Sequence, residues 1–313
     1  MRRAAAVTSS LLLALLGAGC RKNASSGAGA SASAASSAPS LSPPAPVASG
    51  LPGDPMRTSL VVNPKGEPAY AGPTGAVRGT VTIAGDAPPT MDALVAKIPD
   101  KCAAARQAYA PMFREGMMRS LADALVAVTG YRGYVPEREP SLTIEARQCV
   151  FSARTVALTY GQSLRLVSKD REAYVPVLLG SPQPAQLLAM PGGSGTELYP
   201  GQPGRFMLSD SIKVFMFADV FVLKYATHAV TGLDGRYEIQ GIPAGEVKVS
   251  AFLPSTGTSA EQSVTIAPGK TVEVNLEIVF DAKKHASRDA GAPRPPASVQ
   301  GAPGSPEPPP TSP

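Results

Sequence analysis

Tryptophan is absent from this chain of 313 residues, and nine tyrosines and eight phenylalanines are its only aromatics. Sugar-binding platforms rest on exposed rings, so that role could fall only to tyrosine. Tyr131 and Tyr134, in the run GYRGYVPE, are the two candidate ligand contacts, with ordinary loop packing as the alternative. Histidine is nearly absent too, with His228 and His285 alone. A Ser-His-Asp triad needs an imidazole base, and His228 has no motif around it; it reads as a surface or packing residue. Glu137 and Glu139, and Asp170 and Glu172, are neighbours in sequence, but glycosidase chemistry needs two carboxylates placed by the fold. Gly192-Gly193-Ser194-Gly195 lacks the following lysine and the helix of a phosphate cradle. The expectation is a protein that is not an enzyme and carries no cofactor.

Excess charge is missing where it would matter. The formal net charge is +5, but residues 75–281 carry 19 basic and 20 acidic side chains, so the basicity belongs to the ends. A nucleic-acid footprint is excluded as a reading of that part. No apolar run is long enough to span a bilayer.

Proline and glycine are what the chain has in quantity, 33 and 30, about a fifth of all residues. They punctuate short runs of alternating side chains, which predict half-buried strands. The clearest stretch is Val230 to Pro254, VTGLDGRYEIQGIPAGEVKVSAFLP. Tyr237 and Ile239 oppose Glu238 and Gln240; Val247, Val249, Ala251 and Leu253 oppose Lys248 and Ser250. Asp234-Gly235 and Ile242-Pro243-Ala244-Gly245 supply turns, so an antiparallel meander is expected. SVTIAPGKTVEVNLEIV predicts a hairpin turning at Pro268-Gly269-Lys270. Strands are also expected over 75–85, Leu142–Glu145, Thr155–Thr159, Ser163–Ser168, Arg205–Leu208 and Lys213–Leu223, and over Leu121–Thr129, where the unbroken apolar run leaves helix as the alternative. Short helices are expected near Met91–Ile98 and Ala103–Ala110, and an irregular loop over 180–205. The fold class expected is all-β, in sandwiches.

Residues 1–20 read MRRAAAVTSSLLLALLGAGC, two arginines and a short apolar run before a cysteine, which is a secretory leader. Its ending, Leu16-Gly17-Ala18-Gly19-Cys20, resembles the lipobox of bacterial lipoproteins, although Gly17 stands where leucine is usual. The resemblance implies a signal peptide over 1–19, lipid on Cys20, and a membrane partner reached through that anchor; an ordinary signal peptide with an incidental cysteine is the alternative. Arg21 follows where the class carries Asp for inner-membrane retention, so the outer membrane, facing the periplasm or the cell surface, is the expected place. Residues 20–74 read as a disordered Ala/Ser/Pro/Gly tether and 282–313 as a disordered Pro-rich tail.

GAVRGTVTIAGDAPP, VTGLDGRYEIQGIPAGEVKVSAFLP and SVTIAPGKTVEVNLEI together resemble the carboxypeptidase regulatory-like domain, a transthyretin-like sandwich. CVFSARTVALTYGQSLRLVSKD resembles the cupredoxin-like periplasmic proteins that carry such a module. Together they imply a regulatory-like sandwich from 75–139 with 227–281, and a cupredoxin-like Greek-key sandwich over 140–226, set into or beside it. The resemblance also locates copper positions, and they have degenerated. Tyr174 stands for the first His; Asp210, Lys213 and Met216 stand for the Cys, His and Met of Cys-x-x-His-x-x-Met. A blue-copper site takes two imidazoles and a thiolate, so no metal is expected. With Cys20 lipidated, Cys102 and Cys149 remain as an even pair in an exported protein, where disulfides persist. The family's cysteines lie at similar places, which implies a bridge; two separate buried thiols are the alternative.

The function expected is a non-enzymatic, lipid-anchored envelope protein, a binding or structural scaffold. Its partner would be an envelope protein or a polysaccharide. The alternatives are a carbohydrate-binding module, by analogy of fold with starch-binding domains, and a periplasmic copper protein with rebuilt ligands.

Overall fold

The computed structural model describes residues 50–181 and 184–291. Cys20, the leader and the first part of the expected tether lie outside the described residues, as does the tail beyond 291.

The described chain runs α1 (Pro55–Val62), β1 (Thr74–Gly85), α2 (Asp92–Val95), α3 (Ala103–Tyr109), β2 (Leu125–Thr129), β3 (Ser141–Arg147), β4 (Val150–Phe151), β5 (Thr155–Thr159), β6 (Ser163–Ser168) and β7 (Pro176–Leu179). It continues with β8 (Thr196–Leu198), β9 (Gly204–Asp210), β10 (Phe217–Leu223), β11 (His228–Val230), β12 (Arg236–Pro243), β13 (Gly245–Leu253), β14 (Thr258–Ile266), β15 (Thr271–Glu273), β16 (Leu276–Phe280) and α4 (Ala282–Gly291). The fold is all-β, in two sandwiches. In the first, a sheet of order β12-β1-β15, with β16 also on β1, faces a sheet of order β11-β2-β13-β14. In the second, β5-β10-β9-β7 faces β4-β3-β6-β8, with β3 parallel to β6 and β5 parallel to β10. The strands of the second lie between β2 and β11 of the first.

Alternation places the side chains of the first core as the pattern requires. Val77, Val81 and Ile83 of β1, Tyr237 and Ile239 of β12, and Val247, Val249 and Ala251 of β13 are all buried. Their partners are another matter, and the meander is a correction. β12 pairs with β1, whereas β13 pairs with β2 and β14, in the opposite sheet. The Ile242–Gly245 bend carries the chain across the core, with Ile242 fully buried. The hairpin is likewise corrected. β14 pairs with β13, while Pro268-Gly269-Lys270 crosses over to let β15 and β16 run parallel to β1. Gly269 N–H donates to Thr74 O at 2.8 Å, and Ala76 N–H to Lys270 O at 3.0 Å. Period-2 patterning fixes which side of a strand is buried, and a short turn can stay in one sheet or change sheets.

Other expectations are adjusted in length. Residues 121–124 precede β2 rather than joining it, and 213–216 form a turn before β10. β8 lies inside the expected loop 180–205. The tether is shorter than expected, because Asp54 caps α1 through Met56 N–H at 2.9 Å, and Val61 and Val62 pack on the second core. The tail too begins in order, with α4, where the His285 ring lies 5.8 Å from Phe280. Finally, Ile98, Cys102, Ala105 and Tyr109 belong to the core of the second sandwich, although they precede β2. Cys102 and Cys149 form a disulfide, with Cα atoms 5.7 Å apart, and it ties α3 to the β3–β4 turn.

β5 is buried along its whole length, and β2 along all but its last residue. Each has one face in its own core, and β5 packs against β2 and β11. Strands covered on both faces read as continuous apolar runs, which is why LADALVAV and TVALT show no alternation. Phe221 of β10 and Phe252 of β13 meet edge to face across this junction, ring centroids 5.9 Å apart.

Candidate functional site

Of the four positions at which the resemblance would place copper ligands, the fold links Tyr174, Asp210 and Lys213. Asp210 ends β9, fully buried. Its Oδ2 accepts Val175 N–H at 2.6 Å and its Oδ1 accepts Ile212 N–H at 2.9 Å and Lys213 N–H at 2.6 Å. Tyr174 is also buried; its hydroxyl donates to Asp170 Oδ2 at 2.8 Å and accepts Cys149 N–H at 3.2 Å. Burial, with the Asp170 carboxylate beside it, pushes that hydroxyl far above its ordinary pKa. Burial alone would raise Asp170, but hydrogen bonds from Gln148, Tyr174 and Glu172, with Lys213 nearby, take it below the usual carboxylate range. The Lys213 ammonium sits 4.5 Å from the Tyr174 ring centroid and 3.1 Å from Glu172 Oε2. Met216 is fully buried among apolar side chains. This set does not fit copper. The carboxylate is spent on three backbone N–H groups, the phenol keeps its proton, and a cation occupies the place of an imidazole. It ties the end of β9 to residue 175 and to the turn that follows, and residue 174 to the β3–β4 turn.

The two tyrosines singled out in sequence do share a cleft. It has a volume of about 530 Å³, within the range of small-molecule sites, and three separate segments build it. Residues 62–67 follow α1, 131–135 follow β2, and Lys224 and Tyr225 follow β10. The first is a tight loop, in which Asn63 Nδ2 donates to Glu67 O at 2.7 Å and Glu67 N–H returns to Asn63 Oδ1 at 2.9 Å. That clasp presents Lys65 at the rim. Tyr70 N–H donates to Tyr134 O at 2.7 Å, which pins the first segment to the second. Gly133 is required here, because its φ is +96° and a Cβ would stand 2.7 Å from the Tyr70 ring. Tyr131 holds its hydroxyl 3.0 Å from Thr227 Oγ1. Burial raises the Tyr131 hydroxyl above its ordinary range, and burial with Tyr131 nearby raises Tyr225 as well. Both phenols therefore stay neutral donors near pH 7. A second groove of about 340 Å³ continues from the cleft, sharing Val62, Tyr134, Val135 and Lys224.

Behind that groove lies a short polar chain. Thr159 Oγ1 donates to Glu137 Oε2 at 2.8 Å, and His228 Nε2 lies 3.1 Å from the same hydroxyl oxygen. With the hydroxyl proton committed to Glu137, His228 must be the donor, which sets its tautomer. Thr159 is 4% exposed and its N–H is held by Gln162 Oε1 at 2.7 Å. An oxygen so enclosed is a pin between the two sandwiches rather than a nucleophile. Burial lowers the His228 pKa, against the pull of Glu137. The folded state thus binds this proton more weakly than the unfolded chain, whose histidines titrate near about 6.5. The stability of the pin is whole above that pH and falls as the pH drops through it toward the lower folded value, by at most about 1.4 kcal/mol per unit. His228→Gln, which keeps an amide donor, should flatten the stability profile between about pH 7 and 5.5. Urea unfolding across that window checks it; equal slopes in parent and variant would refute the assignment.

No protein-family model matches the sequence, and no curated protein is similar to it. Solved structures do share part of the architecture. Amicyanin from Paracoccus versutus is 10% identical, with 31% of this chain and 97% of that one covered at a TM-score of 0.25. An oxidized mutant of amicyanin is 13% identical over 26% of this chain and 82% of that one, at 0.24. The Cu-containing nitrite reductase NirK from Thermus scotoductus SA-01 is 16% identical over 30% and 25%, at 0.25. Likenesses of this size carry neither ligand nor activity to this chain.

Sequence reasoning reached Tyr131 and Tyr134 but not Tyr225, Arg132, Lys224, Lys65 or Asn63. They lie on three segments far apart in the chain, and no local pattern marks their meeting. Among the described residues, no group of three or more His, Cys, Asp or Glu side chains could hold a metal ion.

Proposed function

We propose that this chain is a non-enzymatic binding protein of the cell envelope, anchored by lipid at Cys20, that holds a saccharide in the tyrosine cleft. The observation that carries this reading is the convergence of Tyr131, Tyr134 and Tyr225 with Asn63 and basic side chains around a cleft of about 530 Å³. A phenol offers an apolar face to the C–H side of a sugar ring and a hydroxyl to its polar edge. The Thr159 hydroxyl is enclosed and the carboxylates of Asp170, Asp210 and Glu137 already accept hydrogen bonds, which favours binding over turnover. Lipid on Cys20 rests on the lipobox-like ending of the leader.

One experiment tests both parts. The full chain, expressed with its leader in a bacterial host, is separated by detergent cloud-point partition and titrated with a panel of neutral and acidic oligosaccharides. The parent enters the detergent phase and binds. Cys20→Ser binds as well but stays aqueous. Tyr134→Ala stays with detergent and loses about thirtyfold in affinity, the size of an anchor ring at a binding site. A parent that binds no oligosaccharide sinks the binding reading, and a Cys20→Ser chain that still partitions into detergent sinks the anchor.

A further inference from the structure

We infer that the ligand of this cleft is an anionic oligosaccharide, several sugar units long and carrying carboxylates; this rests on the saccharide reading above. The charge of the cleft is the first ground. Lys65, Arg132 and Lys224 line it against a single acid, Glu67, whose Oε1 lies 3.8 Å from Lys65 Nζ. Arg132 and Lys224 are exposed, and among the described residues neither has a carboxylate partner. Residues 75–281 as a whole are nearly balanced in charge, 19 basic against 20 acidic, so a local excess of cations in a concave site concentrates anions there.

The second ground is placement. Arg132 lies between Tyr131 and Gly133 at the tip of the loop after β2, and Lys224 stands beside Tyr225 after β10. Each cation is thus next to a ring in sequence and in the wall of the cleft. A guanidinium presents paired N–H donors to a carboxylate while the neighbouring ring covers the sugar. A free inorganic anion would have no use for three tyrosines.

Length is the third. The cleft and the adjoining groove share Tyr134 and Lys224 in their walls, so the two lie side by side with Lys224 bordering both. The groove beyond Lys224 carries one net negative charge, with Arg138 against Glu137 and Glu139, and Glu137 already accepts Thr159 Oγ1. Acidic units therefore belong in the tyrosine lobe and beside Lys224, and the remaining units run on along the groove.

The test uses the folded full chain and three probes in calorimetry, hexagalacturonate, maltohexaose and inorganic phosphate. The parent should bind hexagalacturonate about tenfold or more tighter than maltohexaose, with affinity falling as salt rises. Arg132→Ala/Lys224→Ala, at exposed positions, should bring the acidic sugar down to the neutral one. Tyr134→Ala should weaken both. Equal affinity of the parent for the two sugars, or an unchanged double variant, overturns the inference while leaving the saccharide reading in place. Phosphate that binds as tightly as hexagalacturonate overturns it too, in favour of a simple anion site. No binding of either sugar overturns the saccharide reading itself.

Discussion

Replacing Cys102 and Cys149 together by alanine should destabilise the folded chain by about 4 kcal/mol. The two residues are separated by 47 positions, and releasing a closed loop of that length returns chain entropy of that order to the unfolded state. For a protein of this size the loss corresponds to a fall in Tm of about 8 to 16 °C. Local geometry adds to the case. Gln148 and Cys149 both have positive φ, 52° and 63°, which non-glycine residues seldom adopt. Three things hold them there: the bridge to the residue preceding α3, the bond from Gln148 N–H to Asp170 Oδ2 at 2.8 Å, and the bond from Cys149 N–H to Tyr174. Without the bridge, Ala105 and Tyr109 are the buried side chains by which α3 is held on the second core. Calorimetric scans of parent and variant measure the effect; a Tm within about 3 °C of the parent would refute it.

Asp123→Ala should cost about 3–5 kcal/mol, the range for removing one partner of a buried ion pair. The carboxylate is 8% exposed and takes both prongs of Arg114, Nε at 2.7 Å on Oδ2 and Nη2 at 2.6 Å on Oδ1. Its Oδ1 also accepts the backbone N–H of Arg154 at 3.1 Å, from the second sandwich. Arg154 in turn donates to Pro111 O and Met112 O, at 2.7 and 3.2 Å, and lies over the Phe217 ring at 5.4 Å. Burial lowers the pKa of Arg154, with Asp123 opposing that fall. Burial pulls on Arg114 in the same direction, but the bond to Asp123 and its charge outweigh it and leave that group raised. Removing Asp123 leaves the Arg114 guanidinium without its anion, the Arg154 N–H without its acceptor, and the Arg154 guanidinium with Asp219 as its remaining nearby carboxylate. Its φ of +63° adds a conformational term, since alanine tolerates that region less well than Asp or Asn. Asp123→Asn keeps both the backbone preference and an acceptor for Arg154, and should lose clearly less. Urea unfolding of the two variants gives the comparison; equal costs, or an Ala variant within about 1 kcal/mol of the parent, would show that the charge does not hold the junction.

The sequence by itself determined where most strands lie and which side chains they bury. Alternation through Tyr237 and Ile239, and through Val247 and Val249, puts those side chains in one core whatever the strands pair with. The runs Thr155–Thr159 and Ser163–Ser168 are bounded by a Gly-Gln turn and fold as β5 and β6. The resemblance implied a bridge between Cys102 and Cys149 with two separate buried thiols as the alternative, and the fold, with their Cα atoms 5.7 Å apart, decided for the bridge. Tertiary structure alone decided the pairing. The IPAG and APGK turns each cross between sheets, because in a closed sandwich every apolar face needs an opposing layer and the turn sequence is indifferent to which strand supplies it. Leu60-Val61-Val62 stood out in the low-complexity segment only as a short ordered turn, whereas two apolar side chains and the Asp54 cap suffice to seat a helix, α1, on an existing core. The cleft was legible only as two tyrosines in one loop. Tyr225, Arg132, Lys224 and Lys65 reach it because a second sandwich is set between β2 and β11. That insertion brings the ends of β2 and β10 together with the segment after α1, and a meeting of distant segments leaves no period or spacing in the chain to read.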